Sequence, residues 1–123
     1  MIRGTVNTRG EAVVSLHVKG ANGLEFDVDA VIDTGFNASL TLPPALVSIL
    51  GLPTLSAGVS YLADGSICQY DVCPVAVVWD GIEQVVTAYA IGDEPLLGMR
   101  LLAGHELRMQ LVPGGLVEIK TIP

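Results

Sequence analysis

Val31-Ile32-Asp33-Thr34-Gly35 is the stretch that decides how this 123-residue chain is read, and it occurs once. It ends a run in which Leu24, Phe26, Val28, Ala30 and Ile32 share one face while Glu25, Asp27, Asp29, Val31 and Asp33 share the other. That period of two is the pattern of a strand with one covered face. Val31 interrupts the acidic face just before Asp33, so the strand passes from half-exposed to buried as it reaches the carboxylate. Thr34 and Gly35 then carry the chain into a turn. A lone acid delivered by a buried strand into a tight turn is placed for chemistry.

Working outward, the flanking segments are also extended. Ala12, Val14, Leu16 and Val18 alternate with Val13, Ser15 and His17, and Lys19 to Gly23 turns the chain. After the motif, Ser39 to Leu42 reads as a short strand and Pro43 to Leu50 as a helix, with Thr41 or Leu42 near its cap. Its expected apolar stripe is Leu46, Ile49 and Leu50, and Gly51 and Pro53 end it. Val59 to Tyr70 forms a hairpin around Ala63, Asp64, Gly65 and Ser66. Val75 to Trp79 and Val85 to Ile91 form a second across Asp80-Gly81, with the same turn chemistry. The near-continuous apolar character of this second pair predicts strands buried on both faces. Leu96-Leu97-Gly98 precedes a helical piece, Met99 to Ala103. A last hairpin joins Glu106–Val112 to Leu116–Ile122 at Pro113-Gly114-Gly115. The expectation is one mainly-β domain over residues 1–123, with one or two short helices.

Composition bounds the function. Half the residues are hydrophobic and 15% are charged, enough for a real core, with a surplus that a partner could cover. Thirteen acidic against 6 basic residues, with no Lys/Arg cluster, argue against nucleic acid or an anionic membrane as partner. No apolar run approaches the ~20 residues of a membrane span, and Met1 to Gly10 lacks the apolar centre of a secretory signal. A soluble, cytoplasmic protein is expected. Cys68 and Cys73 are separated by an odd number of positions, which puts them on opposite faces of a strand, so both are read as free, buried thiols. His17 and His105 are isolated and read as solvated or capping residues, and Glu25, Asp27 and Asp29 as an exposed strand face, so no metal site is expected. Trp79 reads as a hairpin core residue. Ser39 and Ser48 have no base beside them in the pattern, and no glycine-rich phosphate loop is present.

With these segments in order, the chain resembles the retropepsin-like aspartic peptidases, single-domain homodimeric relatives of pepsin. The matching parts are the strand ending at Val31 to Gly35, a glycine-tipped flap hairpin, the hydrophobic-hydrophobic-Gly element Leu96-Leu97-Gly98, a short helix and a terminal strand. The resemblance implies a closed β-barrel and a homodimer in which each copy supplies one Asp33. It also implies peptide hydrolysis by water held between the two carboxylates, with no metal or cofactor. Hydrolysis of an amide needs a base to activate water and an acid to protonate the leaving nitrogen. Two carboxylates about 3 Å apart cannot both ionise, so the pair shares one proton and offers both functions. Thr34 would bond across the two-fold axis. Gly35 would bring its N–H to the carboxylate. Ala63, Asp64, Gly65 and Ser66 would tip a flap closing over an extended polypeptide. Tyr61 is similar to the flap tyrosine of pepsin-like enzymes but lies one residue farther from the turn, so an ordinary cross-strand aromatic is its alternative. The N- and C-terminal strands, Ile2 to Val6 and Leu116 to Ile122, would interleave at the subunit interface.

The chain departs from the family pattern just after the motif. Retroviral members continue with Ala-Asp and pepsins with Ser, whereas this chain has Phe36-Asn37. Phe36 cannot donate a hydrogen bond to the carboxylate, which predicts an activity optimum less acidic than pepsin's. Retroviral members place Arg after the second glycine to pair with the Asp at the Asn37 position; Met99 and Asn37 remove both halves of that pair. The alternative from a different class is a non-catalytic dimeric β-domain that binds peptides or partner proteins.

Overall fold

In a computed structural model describing residues 1–123, the alternating patterns become ten strands joined in one sheet that curls back on itself. In chain order they are β1 (Ile2–Val6), β2 (Ala12–Lys19), β3 (Glu25–Ile32), β4 (Leu40–Leu42), helix α1 (Pro44–Leu50), β5 (Ser56–Tyr61), β6 (Ile67–Trp79), β7 (Ile82–Ala90), β8 (Leu96–Leu97), helix α2 (Met99–Leu102), β9 (His105–Met109) and β10 (Leu116–Thr121). A single turn of 3-10 helix, Ala21–Gly23, joins β2 to β3. Strand order is β5-β6-β7-β4-β8-β3-β2-β1-β10-β9, and a further β6–β2 pairing closes six of these strands into a barrel.

Closure depends on β2 and β6 each serving two partners along one edge. β2 pairs with β1 through Ala12–Val14 and with β6 through His17–Lys19. β6 pairs with β5 up to Val72 and with β2 from Ala76. Pro74 falls in the gap between these partners, where the N–H it lacks is not needed by either ladder. The upper half of β6 therefore projects with β5 as a free hairpin, while its lower half is barrel wall.

The barrel interior is aliphatic. Val14, Leu16, Val18, Ala30, Leu40, Leu42, Leu50, Val75, Val77, Ala88 and Leu97 are among its buried residues, and Trp79 is buried with them. Leu16 is buried on all sides, so Leu16→Ala is expected to cost about 2–5 kcal/mol, measured from denaturant midpoints.

Several sequence expectations are corrected here. The β6–β7 hairpin is not buried on both faces: Cys73, Val75, Val77 and Trp79 point inward, while Val85 is 70% exposed. A closed barrel offers each strand one interior face, so apolar residues in the alternate positions are left outside. The stripe of α1 is Val47 and Leu50 with Leu46 half-buried, and Ile49 points outward. Pro43, not Thr41 or Leu42, is its N-cap. Leu24 and Phe26 are exposed, because β3 has cover only in its second half. β9 stops at Met109, after which Gln110 to Gly115 folds into the turn and Leu111 is exposed. Cys73 is fully buried, whereas Cys68 is only half-buried; both are free. The terminal strands do not reach outward: β1 lies between β2 and β10, and β10 between β1 and β9. Ile2 and Arg3 pair with β10 alone, and Lys120 and Thr121 with β9 alone. No helix is long and apolar enough to cross a membrane.

The two hairpins also use different turns. Asp80 and Gly81 both take positive φ (50° and 80°), the two-residue arrangement that matches strand twist. In the projecting hairpin only Gly65 does (φ 85°); Asp64 instead accepts bonds from the Ser66 N–H (2.8 Å) and hydroxyl (2.6 Å). Those bonds, the hydroxyl's first, hold the Asp64 carboxyl below its ordinary range.

Outside the closure seam, charged side chains bridge three strands. His17 Nδ1 lies 2.7 Å from Asp27, and Lys19 contacts both Glu25 (3.3 Å) and Glu83 (2.5 Å). The bond to Asp27 holds His17 above its ordinary range, while Lys19, then His17, holds Glu25 below its own. His17 stabilises the fold fully below its unfolded value of about 6.5 and loses that effect as pH rises through its raised folded value. Glu25 stabilises above about 4.3 and loses its effect as pH falls through its lowered folded value. These groups are exposed, so the effect is small. His17→Gln is expected to lower the denaturant midpoint near pH 5.5 and to leave it unchanged above about pH 9.

Candidate active site

The carboxylate of Asp33 is positioned by three strands. β3 runs parallel to β8, with Val31 opposite Leu96 and Ile32 opposite Leu97, and β8 runs antiparallel to β4. The Val31 N–H donates to the Pro95 carbonyl and the Asp33 N–H to the Leu97 carbonyl, each at 2.9 Å. Leu97, fully buried, anchors the ladder from below. The chain leaves β3 at Asp33 and turns at once, the Phe36 N–H donating back to the Asp33 carbonyl at 3.1 Å. Asp33 ends half-buried, with Thr34 and Gly35 exposed beside it. Its Oδ1 accepts the Gly35 N–H at 2.9 Å. A Cβ on Gly35 would stand 3.3 Å from that oxygen, so glycine here eases the approach of amide to acid without being demanded by a left-handed backbone.

The predicted second-glycine element holds this turn closed. Gly98 N–H donates to the Ser39 carbonyl (2.9 Å), Met99 N–H to Phe36 (2.8 Å) and Arg100 N–H to Ala38 (3.2 Å). The carbonyls of the loop after Asp33 thus satisfy the free amides at the start of α2. Gly98 is packed so closely that a Cβ would lie 2.1 Å from the Ala38 carbonyl oxygen.

Thr41 and Phe36 belong to the site, and the sequence reading missed the first and saw only half the role of the second. Thr41 is buried, and its Oγ1 accepts the Leu96 N–H at 2.9 Å, fastening β8 to β4 under Asp33. A threonine between two buried leucines was the available signal. Phe36 was noted for the hydroxyl it lacks; in the fold its ring covers Gly98 and stands edge-on to Tyr89, centroids 5.8 Å apart.

The projecting β5–β6 hairpin has the shape expected of a flap. Its register pairs Tyr61 with Ile67, and the tip, Leu62 to Ser66, is closed by bonds between Leu62 and both Ser66 and Gly65. Ala63, Asp64, Gly65 and Ser66 are exposed at the tip, and Tyr61 is 78% exposed with Val59, Leu62 and Ile67 also bare. Tyr61 thus stands opposite Ile67 on the hairpin with most of its side chain bare. Ser60 and Tyr70 from the hairpin line a pocket with Phe36, so the base of the hairpin adjoins the loop that follows Asp33. His17 and His105 stay apart from this region: His105 bonds the Ala103 carbonyl and stacks edge-on to Trp79. No group of three or more His, Cys, Asp or Glu is arranged to hold a metal.

No protein-family model and no curated protein matches this chain. Among solved structures, a retropepsin-like aspartic protease from Rickettsia conorii superposes with a TM-score of 0.62 at 17% identity, covering 99% of this chain and 91% of that one. The match extends over barrel, flap and outer strands together. This chain therefore has the retropepsin-like fold.

Proposed function

We propose that the protein is an aspartic endopeptidase whose active site forms between two copies of the chain. The observation that carries this reading is Asp33 itself. It is a half-exposed carboxylate held by the Gly35 amide at the end of an enclosed strand, in a fold shared with an aspartic protease. Activating the water while protonating the carbonyl oxygen in the same step takes one ionised and one protonated carboxyl group, and the chain has one Asp-Thr-Gly. A two-fold axis beside Asp33 supplies the second. One Asp33, ionised, takes a proton from the water between the pair. Its counterpart, protonated, donates to the carbonyl oxygen as water adds to give a diol; the C–N bond then breaks as the first carboxyl group passes its proton to the leaving nitrogen and the second takes a proton back from a diol hydroxyl, which restores the singly protonated pair. Thr34, exposed next to Asp33, is placed to bond to the partner's loop. Flap closure adds a strand to the substrate and excludes water. The bare apolar side chains of the flap favour an extended polypeptide carrying apolar side chains around the cleaved bond.

The test is digestion of a diverse peptide mixture from about pH 3 to 8, read by mass spectrometry, together with solution mass. Specific activity per chain is expected to fall on dilution below the dimer dissociation constant, because isolated copies hold half a site. Activity independent of concentration from a clean monomer would refute the shared site. The optimum is expected to be less acidic than pepsin's, since Phe36 offers the acid no hydrogen bond; a rate still rising below pH 3 would contradict this. The second reading, a dimeric peptide-binding domain that keeps the fold without catalysis, would be revealed by the same digestion yielding no cleavage.

A further inference from the structure

Trp79, the one tryptophan of the chain, is 5% exposed at the end of β6, and its Nε1–H is the one buried side-chain polar atom without a hydrogen-bond partner in the chain. Buried donors are normally paired, and one left without an acceptor destabilises the fold. Trp79 lies on the wall of a cavity of about 350 Å³ bounded also by β7, α2 and the start of β9. Arg100 and His105 line it as well, Ser39 adds a hydroxyl, and no lining residue is acidic. Arg100 is exposed and enters none of the chain's ion pairs. His105 uses Nδ1 on the Ala103 carbonyl (2.9 Å) and sets its ring edge-on to the indole, centroids 5.7 Å apart, so Nε2 is the atom left for a ligand. The rest of the wall includes Leu101, which is buried, and Val85, whose methyls are bare. The backbone behind the cavity is fixed: the Ser39 carbonyl accepts the Gly98 N–H at 2.9 Å, and the Arg100 N–H donates to the Ala38 carbonyl at 3.2 Å.

We propose that this cavity binds a small carboxylic acid with a short aliphatic body, its carboxylate taken by the Arg100 guanidinium and the Trp79 indole N–H. The site is separate from Asp33 and stands whether or not the chain cleaves peptides. An ionised carboxylate only accepts hydrogen bonds, and guanidinium and indole only donate them. The guanidinium also brings a full charge and paired donors whose spacing matches the two carboxylate oxygens. His105 Nε2 is an acceptor in the neutral ring and a third donor once the ring is protonated. A cationic ligand would meet Arg100 with no acid on the wall to offset it. A wholly polar anion would leave Leu101 and Val85 uncovered, whereas an aliphatic body takes their surface out of water. Because the backbone on one side is already held, little ordering is needed when the ligand enters.

The experiment titrates the full chain with isovalerate, with its neutral amide isovaleramide and with inorganic phosphate, at constant pH and ionic strength. Because the chain has one tryptophan, its indole N–H gives a single cross-peak in a proton–nitrogen correlation spectrum and reports on the cavity directly; calorimetry supplies the affinity. Isovalerate is expected to saturate with a dissociation constant on the order of 1 mM and to move the indole cross-peak. The amide and phosphate are each expected to bind at least about 10-fold more weakly. Arg100→Gln alters an exposed side chain and should weaken isovalerate at least about 10-fold while leaving the amide unchanged. Trp79→Phe keeps a ring in the core and removes the N–H, and should weaken isovalerate several-fold by calorimetry; if that variant fails to fold, Arg100→Gln still decides. An indole cross-peak that does not move, equal binding of acid and amide, or isovalerate binding untouched by Arg100→Gln overturns the site. Phosphate bound as tightly as isovalerate overturns the carboxylic acid in favour of a plain anion site.

Discussion

Asp33→Asn is expected to lower peptide cleavage by at least about 10³-fold, because general acid and general base each contribute about 10²–10⁴-fold and one substitution removes both. In a site made from two copies, the change appears on both sides of the axis. Asparagine keeps an oxygen that can accept the Gly35 N–H, the one hydrogen bond the carboxylate makes in the chain. Stability should therefore change by less than about 0.5 kcal/mol, so lost activity with an unchanged melting curve isolates chemistry from folding. A second consequence follows from sharing. Excess Asp33→Asn chain added to wild type should suppress activity through mixed dimers, each with one functional acid. Cleavage undiminished in the variant, or additive activities in the mixture, would end the two-copy mechanism.

Gly98→Ala should lower stability strongly. Its Cβ would meet the Ala38 carbonyl oxygen at 2.1 Å, the Phe36 ring at 2.6 Å and the Phe36 carbonyl oxygen at 2.8 Å. Two of these are carbonyl oxygens of the loop after Asp33, which accept the Met99 and Arg100 amides. Relief requires the loop to separate from α2, breaking those bonds and shifting Asp33. The expected cost is about 3 kcal/mol or more, seen as a melting temperature lowered by roughly 10 °C or more. Activity should fall even at temperatures where the chain remains folded. Gly35→Ala is the contrasting control: its nearest contact is 3.3 Å, to a side-chain oxygen, so it should be far milder. Equal stability of the two variants would show that loop closure does not depend on the Gly98 contact.

Much of this was legible from local pattern. Alternation located β2 and β3, proline and glycine bounded α1, and Val31 to Gly35 marked where β3 delivers its acid. Leu96-Leu97-Gly98 was recognisable by resemblance, and in the fold it lies beside the end of β3 and the turn after Asp33. The errors share one origin. Val85, Ile49 and Phe26 are apolar and were expected to be covered, yet each is exposed in the single chain. Hydrophobicity records what a residue gains from burial; it does not say which surface is available to bury it.

The sequence by itself determined the extended segments, the single Asp33 in its turn and the glycines that flank the loop, because these follow from side-chain period and from backbone conformations few residues tolerate. Only the tertiary structure decided that β6 divides between flap and barrel, that each terminal strand lies between two others of the chain, and that Phe36 and Tyr70 share a pocket beneath the flap. Those outcomes depend on which edges meet across long separations. Backbone hydrogen bonds are the same for every residue type except proline, so pairing partners are chosen by the packing of the whole barrel and leave little trace in any one segment.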